Sequence, residues 1–321
     1  MSYVSRTLIV KALGFRVNRN TPEEWVPQKI EETLKVISKN SPTIGGRHYP
    51  EVHNIEKGSS CYFINRIKNS GVNGCVFDVC AYIHGHVPES MSPDLSKSEA
   101  DIKAVVLTGD DGRPGELVHT YRCIALGEII IVESVKGGGG TAGLATLLTA
   151  LMRRFVNPRH PAVEFSDIGS ADLKRLIASQ GGVSKVSAKL LQETSTRGST
   201  FGHLLSSIRG KVPGANKCLV SWEAEDKTLG ADEAIKMLQE SDDDSLSSVT
   251  LYFKNGGSIS DLNKYRERKP VRIQLVDDGR PAVTEIEVEL KKYLNDLRDP
   301  KKPGPIKSDG TLKAVKKLSE E

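Results

Sequence analysis

Aromatic residues are scarce in this chain: Phe, Trp and Tyr make up 5% of its 321 residues. That leaves little material for the ring platforms on which unpaired bases stack. Long apolar runs are missing too. None approaches the roughly 20 residues that cross a bilayer, so no membrane insertion of this chain is expected. The opening MSYVSRTLIVKALGF lacks the apolar stretch and small-residue cleavage site of a secretory signal. Five cysteines (Cys61, Cys75, Cys80, Cys123, Cys218) include no C-x-x-C pair. The expectation is free thiols in a cytoplasmic protein, with neither a disulfide framework nor a zinc cluster.

Catalytic signatures are absent as well. There is no G-x-S-x-G elbow and no local Cys/His signature for a nucleophile. Helix-turn-helix, zinc-finger and RNP patterns, which read bases, are not found. No catalytic residue, metal ligand or cofactor is therefore assigned.

What is present centres on residues 117–156, LVHTYRCIALGEIIIVESVKGGGGTAGLATLLTALMRRFV. Val118, Tyr121, Ile124 and Ile129–Val132 suit a pleated, buried surface. The break at Leu126–Gly127–Glu128 predicts a hairpin. Gly137–Gly140 ends the second strand, and Thr141 is placed to cap a helix. Leu144, Ala145, Leu147, Leu148, Ala150, Leu151 and Met152 surround that helix, which predicts burial on most sides. Arg153 and Arg154 suit the negative end of its dipole.

Around this unit the pattern predicts a strand at 6–17, with a bulge at Gly14. A helix is expected to start near Asn20–Thr21–Pro22 and stop near Asn40. A meander spans 60–87, a loop covers 88–101, and a further strand is expected at 102–110. Asn157–Pro158–Arg159–His160–Pro161 reads as a boundary. Beyond it come strand 162–168, helix 170–180, strand 183–191, strands near 218, 247 and 270, and a helix near 284–298. The expected class is α+β: a mixed domain at 1–158, a smaller α/β domain at 159–299 and a basic tail at 300–321.

Charge is uneven. Residues 1–158 hold 18 Lys/Arg against 16 Asp/Glu, and 159–217 hold 9 against 4. Residues 218–299 hold 12 against 18, and 300–321 hold 6 against 3. A basic middle and tail beside an acidic block points to a polyanion partner, with surface solvation as the plainer alternative. The candidate phosphate contacts are Arg16, Arg19, Lys174, Arg175, Lys185, Lys189, Arg197, Arg209, Lys211 and Lys217. Lys185 and Lys189 recur at even spacing and so share one strand face, opposite Val186 and Leu190. Such contacts predict salt-sensitive binding with little sequence selectivity.

Two other motifs resemble functional sites. The Gly137–Gly140 turn before a helix resembles a phosphate cradle, but the Walker Lys-Ser/Thr pair is missing and no acid follows at dinucleotide-fold spacing. A tight strand-to-helix turn is the preferred reading. His84, His86 and Asp78 share strand parity, which suggests a metal-dependent nuclease if His48, His53 or His119 completed the set. An ordinary histidine pair is the preferred reading there too. Asp242–Asp244 reads as an acidic loop open to a protein partner, and Asp277–Asp278–Gly279 as a turn.

The order VEF…SADLKRLIASQGG…VSKVSAKLL at 162–191 resembles the middle of the RexA-like phage-exclusion proteins. The likeness extends loosely to the elements at 6–40 and 60–132. It implies a cytosolic bacterial or prophage defence protein that self-associates into a homo-oligomer and binds DNA without strong sequence preference. The acidic 218–299 block departs from a simple DNA-binding surface.

Overall fold

In a computed structural model the expected hairpin forms from β7 (His119–Leu126) and β8 (Ile129–Ser134), joined at Gly127. The model describes residues 2–17, 21–22, 24–71, 74–91, 102–109, 112, 114–168, 171–190, 218–224, 229, 246–260, 266–301 and 304–313. At Gly127 φ is +59°, and an added Cβ would meet the backbone of Asp309 and Gly310. The turn therefore needs glycine for its conformation and for its space.

Around the hairpin, β1 (Tyr3–Arg16) pairs with β8, and β4 (Cys75–Ile83) pairs with β7. Next to β4 come β3 (Ser60–Asn69) and β2 (His48–Tyr49). The other edge of β1 is shared end to end. Its first half pairs with β14 (Arg268–Gln274), its second with β9 (Ala162–Asp167). All eight strands are antiparallel neighbours in one sheet. Register runs unbroken through Gly14, which faces Glu164, so the bulge expected there is absent.

Strand alternation gives this sheet two apolar faces. On one, Phe77, Val79, Cys123 and Ile130 meet α1 (Ile30–Asn40) and α2 (Gly140–Phe155). On the other, Leu8, Val10, Ile129 and Ile131 meet α4 (Val283–Arg298), through Ile286, Leu290 and Leu294. The result is a helix–sheet–helix arrangement in the expected α+β class. In α2, Leu144, Leu147, Leu148 and Leu151 are buried while Ala142, Thr146 and Arg153 are exposed. The helix thus buries one stripe, not most of its circumference, because only one side meets the sheet. Its N-cap is Gly139 in the left-handed region, and Thr141, expected there, already lies inside the helix. α1 starts at Ile30, later than expected. Pro27 disfavours helix at the residue before it, and Trp25 packs instead on Phe15 and His160, at ring centroid distances of 5.1 and 5.6 Å.

A second sheet follows α3 (Ala171–Ser179). Its order is β11 (Cys218–Glu223), β10 (Val183–Leu190), β12 (Leu246–Phe253), β13 (Ser258–Ile259). A two-stranded ribbon pairs β5 (Glu89–Met91), inside the segment expected to be a loop, with β6 (Ile102–Ala104), where a strand is expected.

The boundary expected at 158 falls inside the large sheet, since β9, β14 and α4 all lie beyond it. Lys11 Nζ of β1 sits 2.6 Å from Asp167 of β9, both nearly buried. Part of the expected tail is also folded. Ile306 is fully buried under α4, Ile306 and Leu312 bridge, and the Glu128 N–H donates to the Gly310 carbonyl at 3.2 Å. No helix among the described residues is long and apolar enough to cross a membrane.

Candidate functional site

Two places bring chemistry-bearing groups together. The first is the outer face of the second sheet. Alternation along β10 and β12 buries Val183, Val186, Val249, Leu251 and Phe253 and turns the intervening residues the other way. Lys185 lies opposite Glu223 on one side and Tyr252 on the other. Its Nζ is 3.3 Å from Glu223 Oε2 and 5.9 Å from the Tyr252 ring centroid, on the outer side of the sheet. Ser187 pairs in register with Ser221 and Thr250, and Lys189 with Leu219 and Ser248. Tyr252 is 38% exposed and Leu219 70%. Ser187 is itself buried, so the face offers a cation, paired with Glu223, stacked on a ring beside Ser221 and Thr250.

The second place is a cavity of about 280 Å³ where α2 begins. Ala81 and His119 face each other across β4 and β7, and Tyr62 and Ala81 across β3 and β4. This brings Tyr62 and His119 under the glycine turn. A Cβ at Gly137 would stand 2.8 Å from the His119 ring, and one at Gly138 3.0 Å from Tyr121. At Gly139 and Gly143 it would strike the Tyr62 ring. The glycines are thus required because three rings lie against the backbone of the turn. Ser60, His86 and Leu117 complete the wall. Burial pushes the Tyr121 phenol well up, with Cys123 and Tyr62 adding to the effect.

The nuclease set does not assemble. β4 ends at Ile83, and Gly85, at φ +68°, turns the chain away. His84 and His86 therefore leave the strand face they were expected to share with Asp78. His84 Nδ1 lies 2.8 Å from Glu116 Oε1, and the Gly85 N–H donates to the same oxygen at 3.1 Å. Asp78 lies in the opposite face of the sheet, ion-paired with Arg66, which also reaches Glu287 of α4 at 2.6 Å. Among the described residues no group of three His, Cys, Asp or Glu stands together as a metal site.

Of the expected phosphate contacts, Arg16 is ion-paired with Glu164 across β1 and β9. Arg175 is exposed on α3. Lys174 is in α3, but its side chain lies outside the described residues, as does that of Lys189 in β10. Arg19, Arg197, Arg209, Lys211 and Lys217 lie outside them entirely, as do Asp242–Asp244. Of the expected positions, Lys185 and Lys189 share β10. Sequence reasoning missed Tyr252, although the alternation Val249, Leu251, Phe253 already turned it outward. It also missed the partnership of His119 with the glycine turn, which depends on a strand register no local pattern displays. No protein-family model and no curated protein matches this chain.

Proposed function

We propose that the chain is a nucleic-acid-binding protein, acting on DNA without strong sequence preference and as a homo-oligomer, in bacterial or prophage defence against phage. The observation that carries this reading is Lys185 stacked on the exposed Tyr252 ring of the second sheet, with Lys189 further along the same strand. A ring with a cation beside it accepts any base and its phosphate, which suits binding that ignores sequence. The surplus of Lys and Arg over Asp and Glu at 159–217 supports it, because phosphate contact needs positive groups more than fixed geometry. The defence role and self-association rest on the RexA-like resemblance at 162–191.

The partner-protein alternative draws less support. Several carboxylates of the acidic block serve inside the fold: Glu285 accepts from the Gln274 N–H, Glu287 pairs with Arg66 and Lys68, and Glu289 with Lys269. The metal-dependent nuclease lacks its ligand set.

The test is a titration with duplex DNA, single-stranded DNA and RNA across salt concentrations. Lys185→Ala is expected to weaken binding to every sequence alike and lower the salt slope by about 1. Tyr252→Ala is expected to cost about 1–3 kcal/mol on single strands. Wild-type binding that ignores salt, or both variants binding as wild type does, overturns the reading.

A further inference from the structure

The cavity beside the glycine turn differs from the open sheet face in what it can hold. Among the described residues its polar lining comes from Ser60, Tyr62, Tyr82, His86 and His119, with no carboxylate in the wall. The Tyr82 hydroxyl donates to His48 Nε2 at 2.9 Å, and each of the other four groups can donate a hydrogen bond into the cavity, a set suited to an anion. A bare divalent cation would find none of the carboxylates it prefers. At about 280 Å³ the space falls just below the range of small-molecule sites, roughly 300–1,000 Å³. That is too small for a dinucleotide cofactor and suits one nucleotide. Leu117 and Ile83 add apolar wall for the part of a ligand that carries no charge.

Two further observations concern the glycine turn, which reaches the cavity wall at Gly137 and Gly139. Tyr121, packed beneath Gly138, is 2% exposed, and its hydroxyl has no hydrogen-bond partner among the described residues. Beneath the turn, behind the cavity wall, the fold thus keeps a buried hydroxyl that no described residue uses. Gly143 donates the first backbone bond of the helix, to Gly139 at 3.1 Å. Helical geometry leaves the N–H groups of Gly140, Thr141 and Ala142 ahead of that bond without a helical acceptor.

We propose that this cavity binds a single nucleotide through its phosphate monoester, held by His86, His119 and the backbone of the glycine turn. The same chemistry comes from a free nucleoside monophosphate or from the phosphorylated end of a strand. The site stands on the large sheet and does not depend on the open face around Lys185.

The test is calorimetric titration of the full chain with adenosine 5′-monophosphate, adenosine, and a short oligonucleotide with and without a 5′-phosphate. Adenosine 5′-monophosphate is expected to bind at least about tenfold more tightly than adenosine. His86 is exposed, so His86→Ala should leave thermal unfolding unchanged while weakening the monophosphate about tenfold or more. His119→Ala should weaken it too, with unfolding followed in parallel because that ring packs on Gly137. A stronger response to the free monophosphate assigns the site to nucleotides, and a stronger response to the 5′-phosphorylated strand assigns it to strand ends. No binding of either at millimolar concentration, adenosine binding as tightly as its monophosphate, or His86→Ala binding like wild type overturns the proposal. Lys185→Ala in parallel separates the two sites, because it should weaken long nucleic acid and leave the monophosphate untouched.

Discussion

Gly143 sits inside α2, where alanine would ordinarily be favoured by about 1 kcal/mol. Here an added Cβ would lie 2.5 Å from Tyr62 Cε1, and crowding of that kind costs about 1–3 kcal/mol. Gly143→Ala is therefore expected to destabilise the protein in denaturant unfolding. In a Tyr62→Ala background the same change should stabilise it. A change of sign between backgrounds isolates the ring contact, and the same effect in both rejects it. His160 gives a second prediction at this scale. It is 3% exposed, its ring lies against Phe15 and Trp25, and burial holds its pKa below the ordinary imidazole value. In the unfolded chain His160 takes a proton at that ordinary value, whereas in the fold it resists. The unfolded state then binds more protons, and stability falls as pH drops below about 6.5. His160→Phe keeps a ring in the cluster and should flatten that part of the profile of stability against pH.

At the scale of elements, the segment 304–313 shows why burial outweighs composition. It is rich in proline, glycine and lysine, which reads locally as a solvated tail. Yet Ile306 enters the core between α4 and the sheet, and the Gly310 carbonyl accepts from Glu128. One isoleucine in a polar stretch is a weak periodic signal, so the docking was not legible. The strands and helices of the core were legible, because their alternation and helical spacing run over many residues. Leu8, Val10 and Ala12 alternate along β1 and line one core together. The histidine set at 78–86 failed for a local reason: strand parity was carried past Ile83, where Gly85 turns the chain. Ile306→Ala is expected to cost about 2–5 kcal/mol, the range for emptying a fully buried position. A cost near zero in denaturant unfolding would mean that the segment is not part of the core in solution.

For the whole molecule, the question is which parts fold together. Asn157–Pro158–Arg159–His160–Pro161 carries strong turn chemistry, and the chain does turn there. A turn signal does not say whether the next strand leaves the sheet or returns to it, because that choice is made by partners far away in sequence. Here β9 returns to β1, followed about 100 residues later by β14, and α4 then closes the second face. A fragment ending at residue 158 would carry Leu8, Val10, Ile124, Ile129 and Ile131 with nothing over them. An apolar sheet face with an unpaired edge at β1 is both unstable and aggregation-prone. The 1–158 fragment is therefore expected to lack a cooperative unfolding transition and to associate, by light scattering, where the intact chain gives a sharp transition. The same physics predicts that a longer fragment, 1–168, fails as well, because β9 restores an edge but not the α4 cover. If 1–158 unfolded cooperatively and stayed monomeric, the face now under α4 would not be part of the minimal core. The turn at 157–161 would then mark a true domain end.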